Sequence, residues 1–110
     1  MKKYLLMLFF ASCFFCGCVK EKAMRNECSE NSFSKDVVPV INKYCAVSGC
    51  HVEGFPPGDF TKYEGLHAVV ENGFFQEKVF QQRIMPPADS LSDSELKVLQ
   101  CWVDHGALNN

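Results

Sequence analysis

Seven of the 110 residues are cysteine, an odd number, so they cannot all pair within one molecule. The grouping that draws the eye is Cys45-Ala46-Val47-Ser48-Gly49-Cys50-His51, two thiols with four residues between them and an imidazole directly after the second. Thiols and imidazole this close in sequence can close a disulfide, ligate a metal or hold a prosthetic group. A zinc site would take its fourth ligand from Cys101 or His67, yet neighbouring Cys50 and His51 are awkward as two corners of one tetrahedron. A Cys45–Cys50 disulfide would instead leave His51 as a loop histidine in a stapled binding or structural module. Met85 adds a soft thioether donor, and it stands directly before Pro86-Pro87, which stiffen the loop that would present it.

Which of these chemistries applies depends on compartment. Lys2 and Lys3 precede an apolar run of 12 residues, Tyr4 to Phe15, followed by Gly17-Cys18 and the charged Lys20-Glu21-Lys22. The run falls short of the roughly 20 residues that span a bilayer as a helix, and its flanks are those of an export signal. Phe15-Cys16-Gly17-Cys18 resembles a bacterial lipoprotein box, in which the cysteine becomes the acylated first residue of the mature chain. Phe10-Ala11-Ser12-Cys13 is a competing box. Cys18 is favoured because cleavage at Cys13 would leave Phe14-Phe15 exposed. Several acyl chains on Cys18 would hold the domain at a membrane surface without crossing it. The expected organisation is a signal peptide over 1–17, a polar flexible tether over 18–32 and one globular domain over 33–110. Export places the remaining thiols, Cys28, Cys45, Cys50 and Cys101, in an oxidising compartment, which weighs further against zinc thiolates.

The elements that must position the cysteines read as helices. Val37, Val40, Ile41 and Tyr44 share one face of a short helix running into Cys45, with Asp36 as its cap and Pro39 in its first turn. Gly49 to Gly58, with Gly54, Pro56 and Pro57, is loop. Thr61-Lys62-Tyr63-Glu64 predicts a capping box for a second helix with Leu66, Val69 and Val70 inward, ended by Asn72-Gly73. Phe74, Phe75, Val79, Phe80 and Ile84 predict a shorter third helix stopped by Met85-Pro86-Pro87. Ser92-Asp93-Ser94-Glu95 is a second capping box, flanked by Leu91 and Leu96 as a hydrophobic staple, and Leu96, Leu99, Trp102 and Val103 form the apolar face of the last helix up to Gly106. Sustained period-two alternation is lacking throughout, so an all-α domain of three to four helices is expected.

Cys45 to His51 is similar to the haem attachment site of c-type cytochromes, with four residues between the cysteines where two are usual; Ser48-Gly49 can loop the surplus outward. Arg83-Ile84-Met85-Pro86-Pro87 resembles the segment that supplies the distal ligand in that family. Val37 to Ile41, Tyr63 to Leu66 and Cys101 to Ala107 also look like small monohaem cytochromes carried by bacterial lipoproteins. The resemblance implies a cytochrome c-like fold around one haem c, held by thioethers from Cys45 and Cys50, with His51 proximal and Met85 distal. It implies crossing first and last helices, Trp102 against the haem, and a disulfide between Cys28 and Cys101 if that crossing brings them together. The alternative is two unpaired thiols. His67 is expected to be an exposed helical histidine, and His105, in the last turn of the final helix, to serve the helix dipole.

Function classes narrow accordingly. Net charge is −2, and cleavage before Cys18 leaves 9 basic against 13 acidic residues, so a nucleic-acid partner is not expected. A haem enzyme such as a peroxidase needs an open distal position and a proton-handling residue, and Met85 argues against the first. The resemblance therefore implies an exported, membrane-anchored electron carrier that binds no small-molecule substrate and exchanges electrons with redox partner proteins. The non-haem disulfide-stapled surface lipoprotein remains the alternative.

Overall fold

The first helix begins where Ser32, in extended backbone, accepts the Lys35 N–H on its hydroxyl and donates its own N–H to the Asp36 carboxylate, 2.7 Å away. Asp36 thus closes the reciprocal half of the cap, and the residue expected to start the helix lies one turn inside it. The computed structural model describes residues 28–87 and 90–110. The leader, both candidate lipidation sites Cys13 and Cys18, and the tether up to position 27 lie outside the described residues.

Helix α1 opens with a wide-turn segment, Phe33–Val37, and continues as an α-helix over Val38–Tyr44. Pro39 sits in the first turn of the α-wound part. Its ring would press on the carbonyl four residues back in a regular helix, and the widened winding just before it relieves that crowding. Helix α2 spans Tyr63–Glu71, the widened helix α3 spans Gln76–Gln81, and α4 spans Asp93–Asp104. Strands are absent among the described residues, so the domain is all-α with four helical segments.

The last helix follows its sequence closely. Ser92 and Glu95 form the reciprocal capping box, and both Leu91 and Leu96 lean on the core. At the other end Gly106 takes φ +89°, its N–H bonds the Val103 carbonyl at 3.1 Å, and the Ala107 N–H bonds the Trp102 carbonyl at 2.9 Å. That pair of bonds satisfies two carbonyls that would otherwise lack partners.

Helix α2 starts differently from expectation. Its N-cap is Lys62, with no side-chain cap, because Thr61 is occupied elsewhere: its N–H and hydroxyl both bond the Asp59 carboxylate. Asp59 also pairs with Lys62 at 3.0 Å. Local side-chain capture of this kind competes with helix capping. The C-terminus is as read, with Asn72 as the cap and Gly73 at φ +84°.

The core gathers Val37, Val40 and Ile41 of α1, Leu66, Val69 and Val70 of α2, Val79 of α3, and Leu99 and Trp102 of α4. Helices α1 and α4 pack together where Cys28 and Cys101 join in a disulfide, Cα to Cα 5.3 Å. The chain entering α1 is pinned as well: Asn31 Nδ2 donates to the Val98 carbonyl at 3.0 Å, and the Phe33 N–H donates to Asn110 Oδ1 at 2.7 Å. Trp102 belongs to this junction. Its ring lies 5.4 Å from Phe33 and its indole N–H donates to the Leu108 carbonyl at 2.9 Å.

Candidate functional site

The cysteine segment leaves α1 at Tyr44 and folds back on itself. Val47 accepts the Cys50 N–H at 2.9 Å, Gly49 supplies φ +81°, and the His51 N–H returns to the Cys45 carbonyl at 3.1 Å. Ser48 and Gly49 are exposed, so the longer spacing is absorbed as an outward turn while Cys45 stays buried.

His51 is then held in plane. Its ring stacks on Phe60 at 4.1 Å between centroids and 10° between planes, and its carbonyl accepts the Phe60 N–H at 2.9 Å. Phe60 reaches this place because the Asp59 backbone lies directly on Gly65 of α2; a Cβ there would overlap the Asp59 carbonyl.

Met85 arrives from the other direction. Gly73 and Asn72 turn the chain from α2 into α3, where Asn72 Oδ1 accepts the Phe74 N–H at 3.0 Å. After α3 Arg83 takes φ +51°, and the N–H groups of Ile84 and Met85 both return to the Lys78 carbonyl, at 3.0 and 3.3 Å. A non-glycine residue in that left-handed region is uncommon and marks an enforced reversal.

These two segments border one cavity of about 530 Å³, with Cys45, Cys50 and His51 from the first and Met85, Pro86 and Pro87 from the second. Buried Val69, Phe75 and Val79 line its interior, and Phe55, Phe74 and Ile84, each about half exposed, stand where it meets solvent. Lys78 is the one fully charged side chain among its described walls. Volume and apolar character are those of a small-molecule or cofactor site.

The donors are electrostatically tuned by that environment. Burial pushes the Cys45 thiol up to about 11, so it stays protonated near neutral pH. Burial also lowers the His51 pKa, which keeps the imidazole neutral with a lone pair to offer. His51 Nδ1 is buried without a hydrogen-bond partner.

Other candidates lie elsewhere. His67 Nδ1 is 3.5 Å from Glu71 on α2, and its side chain is only 26 % exposed, tilted against Tyr63. His105 Nδ1 lies 2.9 Å from the Cys101 carbonyl, which can only accept, so that nitrogen carries the proton. Cys101 is spent in the disulfide, so both fourth ligands considered for zinc are engaged away from Cys45, Cys50 and His51. Trp102, expected against the haem, does not border the cavity, because its packing on Phe33 and its bond to Leu108 hold it at the α1–α4 junction. Phe60 is the residue that sequence reading missed; its role comes from a ring stack between positions that no helical spacing relates.

Two thiols, a neutral imidazole and a thioether on apolar walls have the donor chemistry to hold a group carrying a soft or borderline metal. Comparison of the chain with protein-family models, curated proteins and solved structures finds no match.

Proposed function

We propose that the chain is an exported c-type haem protein that carries single electrons between partner proteins at a bacterial membrane surface. One observation carries this reading: Met85, far in sequence from Cys45, Cys50 and His51, borders the same apolar cavity as they do. Cys45 and Cys50 are the thioether positions, His51 the proximal ligand and Met85 the distal one. Bound haem c supplies a one-electron iron couple, whose potential a histidine–methionine ligand pair raises relative to two histidines.

The chain's own residues do the rest. Phe60 orients the imidazole, the turn at Gly49 sets the spacing of the two thiols, and the Lys78 carbonyl holds the methionine segment. Val69, Phe75 and Val79 exclude water, which keeps the local dielectric low. If His51 and Met85 both held the iron, no position on it would be left open to a substrate, and the protein would be a carrier. The Cys28–Cys101 disulfide supports export, since such bonds persist in oxidising compartments. The 1–17 leader supplies the address and acylated Cys18 the anchor. The excess of 13 acidic over 9 basic residues after cleavage favours partners with basic docking patches.

The test is the visible spectrum of protein made in a host with c-type haem maturation, recorded after dithionite and again in alkaline pyridine. A sharp reduced α band, with colour that survives acid-acetone extraction, is the expected result. Met85→Ala then loses the weak red-region sulfur–iron band while retaining the covalent haem. A colourless protein with Cys45 and Cys50 oxidised to each other would overturn the reading and leave a disulfide-stapled surface lipoprotein.

A further inference from the structure

Gly65 stands in the first turn of α2, where glycine loses backbone entropy that alanine would not. The loop before the helix explains it. A Cβ on Gly65 would overlap the Asp59 carbonyl oxygen and lie 2.8 Å from its carbon, closer than a Cβ sits to backbone. The helix cannot readily yield, since Leu66 is fully buried and the Tyr63 hydroxyl donates to the Ala107 carbonyl at 2.8 Å. The loop is itself stiffened: the Asp59 carboxylate accepts the Thr61 N–H and hydroxyl and pairs with Lys62 at 3.0 Å. A push on Asp59 therefore passes to Phe60 rather than being lost within the loop.

Phe60 has two holds on His51, the ring stack at 4.1 Å and the hydrogen bond from its N–H to the His51 carbonyl at 2.9 Å. A metal-ligating imidazole is ordinarily oriented by a hydrogen bond at its second nitrogen. His51 Nδ1 is buried with no such partner, so the flat ring of Phe60 takes over that task. We propose that Gly65 is a positioning residue for His51, acting through Phe60: the missing Cβ on α2 lets the backbone of Asp59 and Phe60 settle at the depth where the two rings lie within 10° of parallel. The link to His51 rests on these contacts; its meaning for iron rests on the haem reading above.

Gly65→Ala tests this, with Gly58→Ala as its counterpart, because a Cβ on Gly58 meets only ordinary contacts, 3.4 Å from the Gly65 carbonyl oxygen and 3.7 Å from the Phe60 ring. In oxidised, haem-loaded protein the paramagnetic shifts of the haem methyl protons depend on the plane of the axial imidazole. Their pattern is expected to change in Gly65→Ala and in Phe60→Leu, which keeps apolar bulk without a flat ring. It is expected to stay as in wild type in Gly58→Ala and in Leu99→Ala, which loosens the core elsewhere. A wild-type pattern in both Gly65→Ala and Phe60→Leu overturns the proposal, as does a change of equal size in Gly58→Ala. Should Gly65→Ala fail to fold, Phe60→Leu decides: a changed pattern upholds the role of the stack and an unchanged one overturns it. The second readout needs no haem: hydrogen exchange of the Phe60 amide, bonded to the His51 carbonyl, is expected to quicken several-fold in Gly65→Ala but not in Gly58→Ala, with α4 amides unaffected in both. Unaltered Phe60 exchange in Gly65→Ala sinks the link even if the protein is red. A colourless protein with quickened exchange sinks the haem reading and leaves the link between Gly65 and His51 standing.

Discussion

The two sides of this domain are built on different principles. Where α1 crosses α4, a disulfide, an aromatic pair and hydrogen bonds from Asn31, Phe33 and Trp102 complete the structure from the chain's own atoms. On the cavity side, Phe55, Phe74, Ile84 and Met85 are 38 to 54 % exposed around about 530 Å³ of apolar space. The first side is a closed core and the second an incomplete one. A domain this small has little core to spare, and on the function proposed above a bound apolar group would complete the second side.

The contrast is testable by substitution on each side. Replacing Cys28 and Cys101 by serine opens a cross-link between positions 73 apart and is expected to lower stability by roughly 4 kcal/mol, measured by urea unfolding. A loss below about 1 kcal/mol would mean that the hydrogen bonds alone hold the crossing. Leu99 is fully buried on α4, and Leu99→Ala is expected to cost about 3 kcal/mol with or without a cofactor. Phe74→Ala is its counterpart at the cavity mouth. Half exposed, it is expected to cost less than about 0.5 kcal/mol in colourless protein and about 1 kcal/mol or more in protein carrying haem, because only then does the ring have a large apolar partner. Equal costs in the two forms would break the comparison.

The smallest expected effect is that of pH on Glu95. Hydrogen bonds from Ser92, with help from Lys43 and Tyr44, lower its carboxyl from 4.5 to about 2. A depressed carboxylate contributes stability that is complete above pH 4.5 and is lost as pH falls toward 2. Acid unfolding of Glu95→Gln is therefore expected to show a shallower pH dependence between 4.5 and 2 than wild type, with the two curves parallel above pH 5. Parallel curves throughout would mean that the carboxylate stabilises nothing beyond what a neutral side chain does.

Much of the fold is legible in local sequence because helix signals are local. Ser92 through Glu95, the apolar spacing of Leu96, Leu99 and Trp102, and Gly106 specify α4 from cap to stop within fifteen residues, each choice agreeing with the next. Helix α2 is the instructive failure. Thr61 through Glu64 carries the same capping pattern, yet Asp59, two positions upstream, captures the threonine first. The pattern names residues able to cap; a stronger acceptor within reach decides whether they do.

By itself the sequence determined the chemical inventory of the site: two thiols and an imidazole in one short segment, a thioether before two prolines, and four helical segments to carry them. Periodicity and capping depend on neighbours a few positions away, so they survive reading one residue at a time. What the tertiary structure decided was which of these groups share a space. It brought Met85 to the cavity of Cys45, Cys50 and His51, placed Phe60 flat on the imidazole, and kept Trp102 at the helix crossing. Those outcomes depend on a backbone reversal at Arg83, a missing Cβ at Gly65 and a carboxylate that grips α1 and α4 together. Each is a contact between residues that no local period relates, and packing alone selects among them.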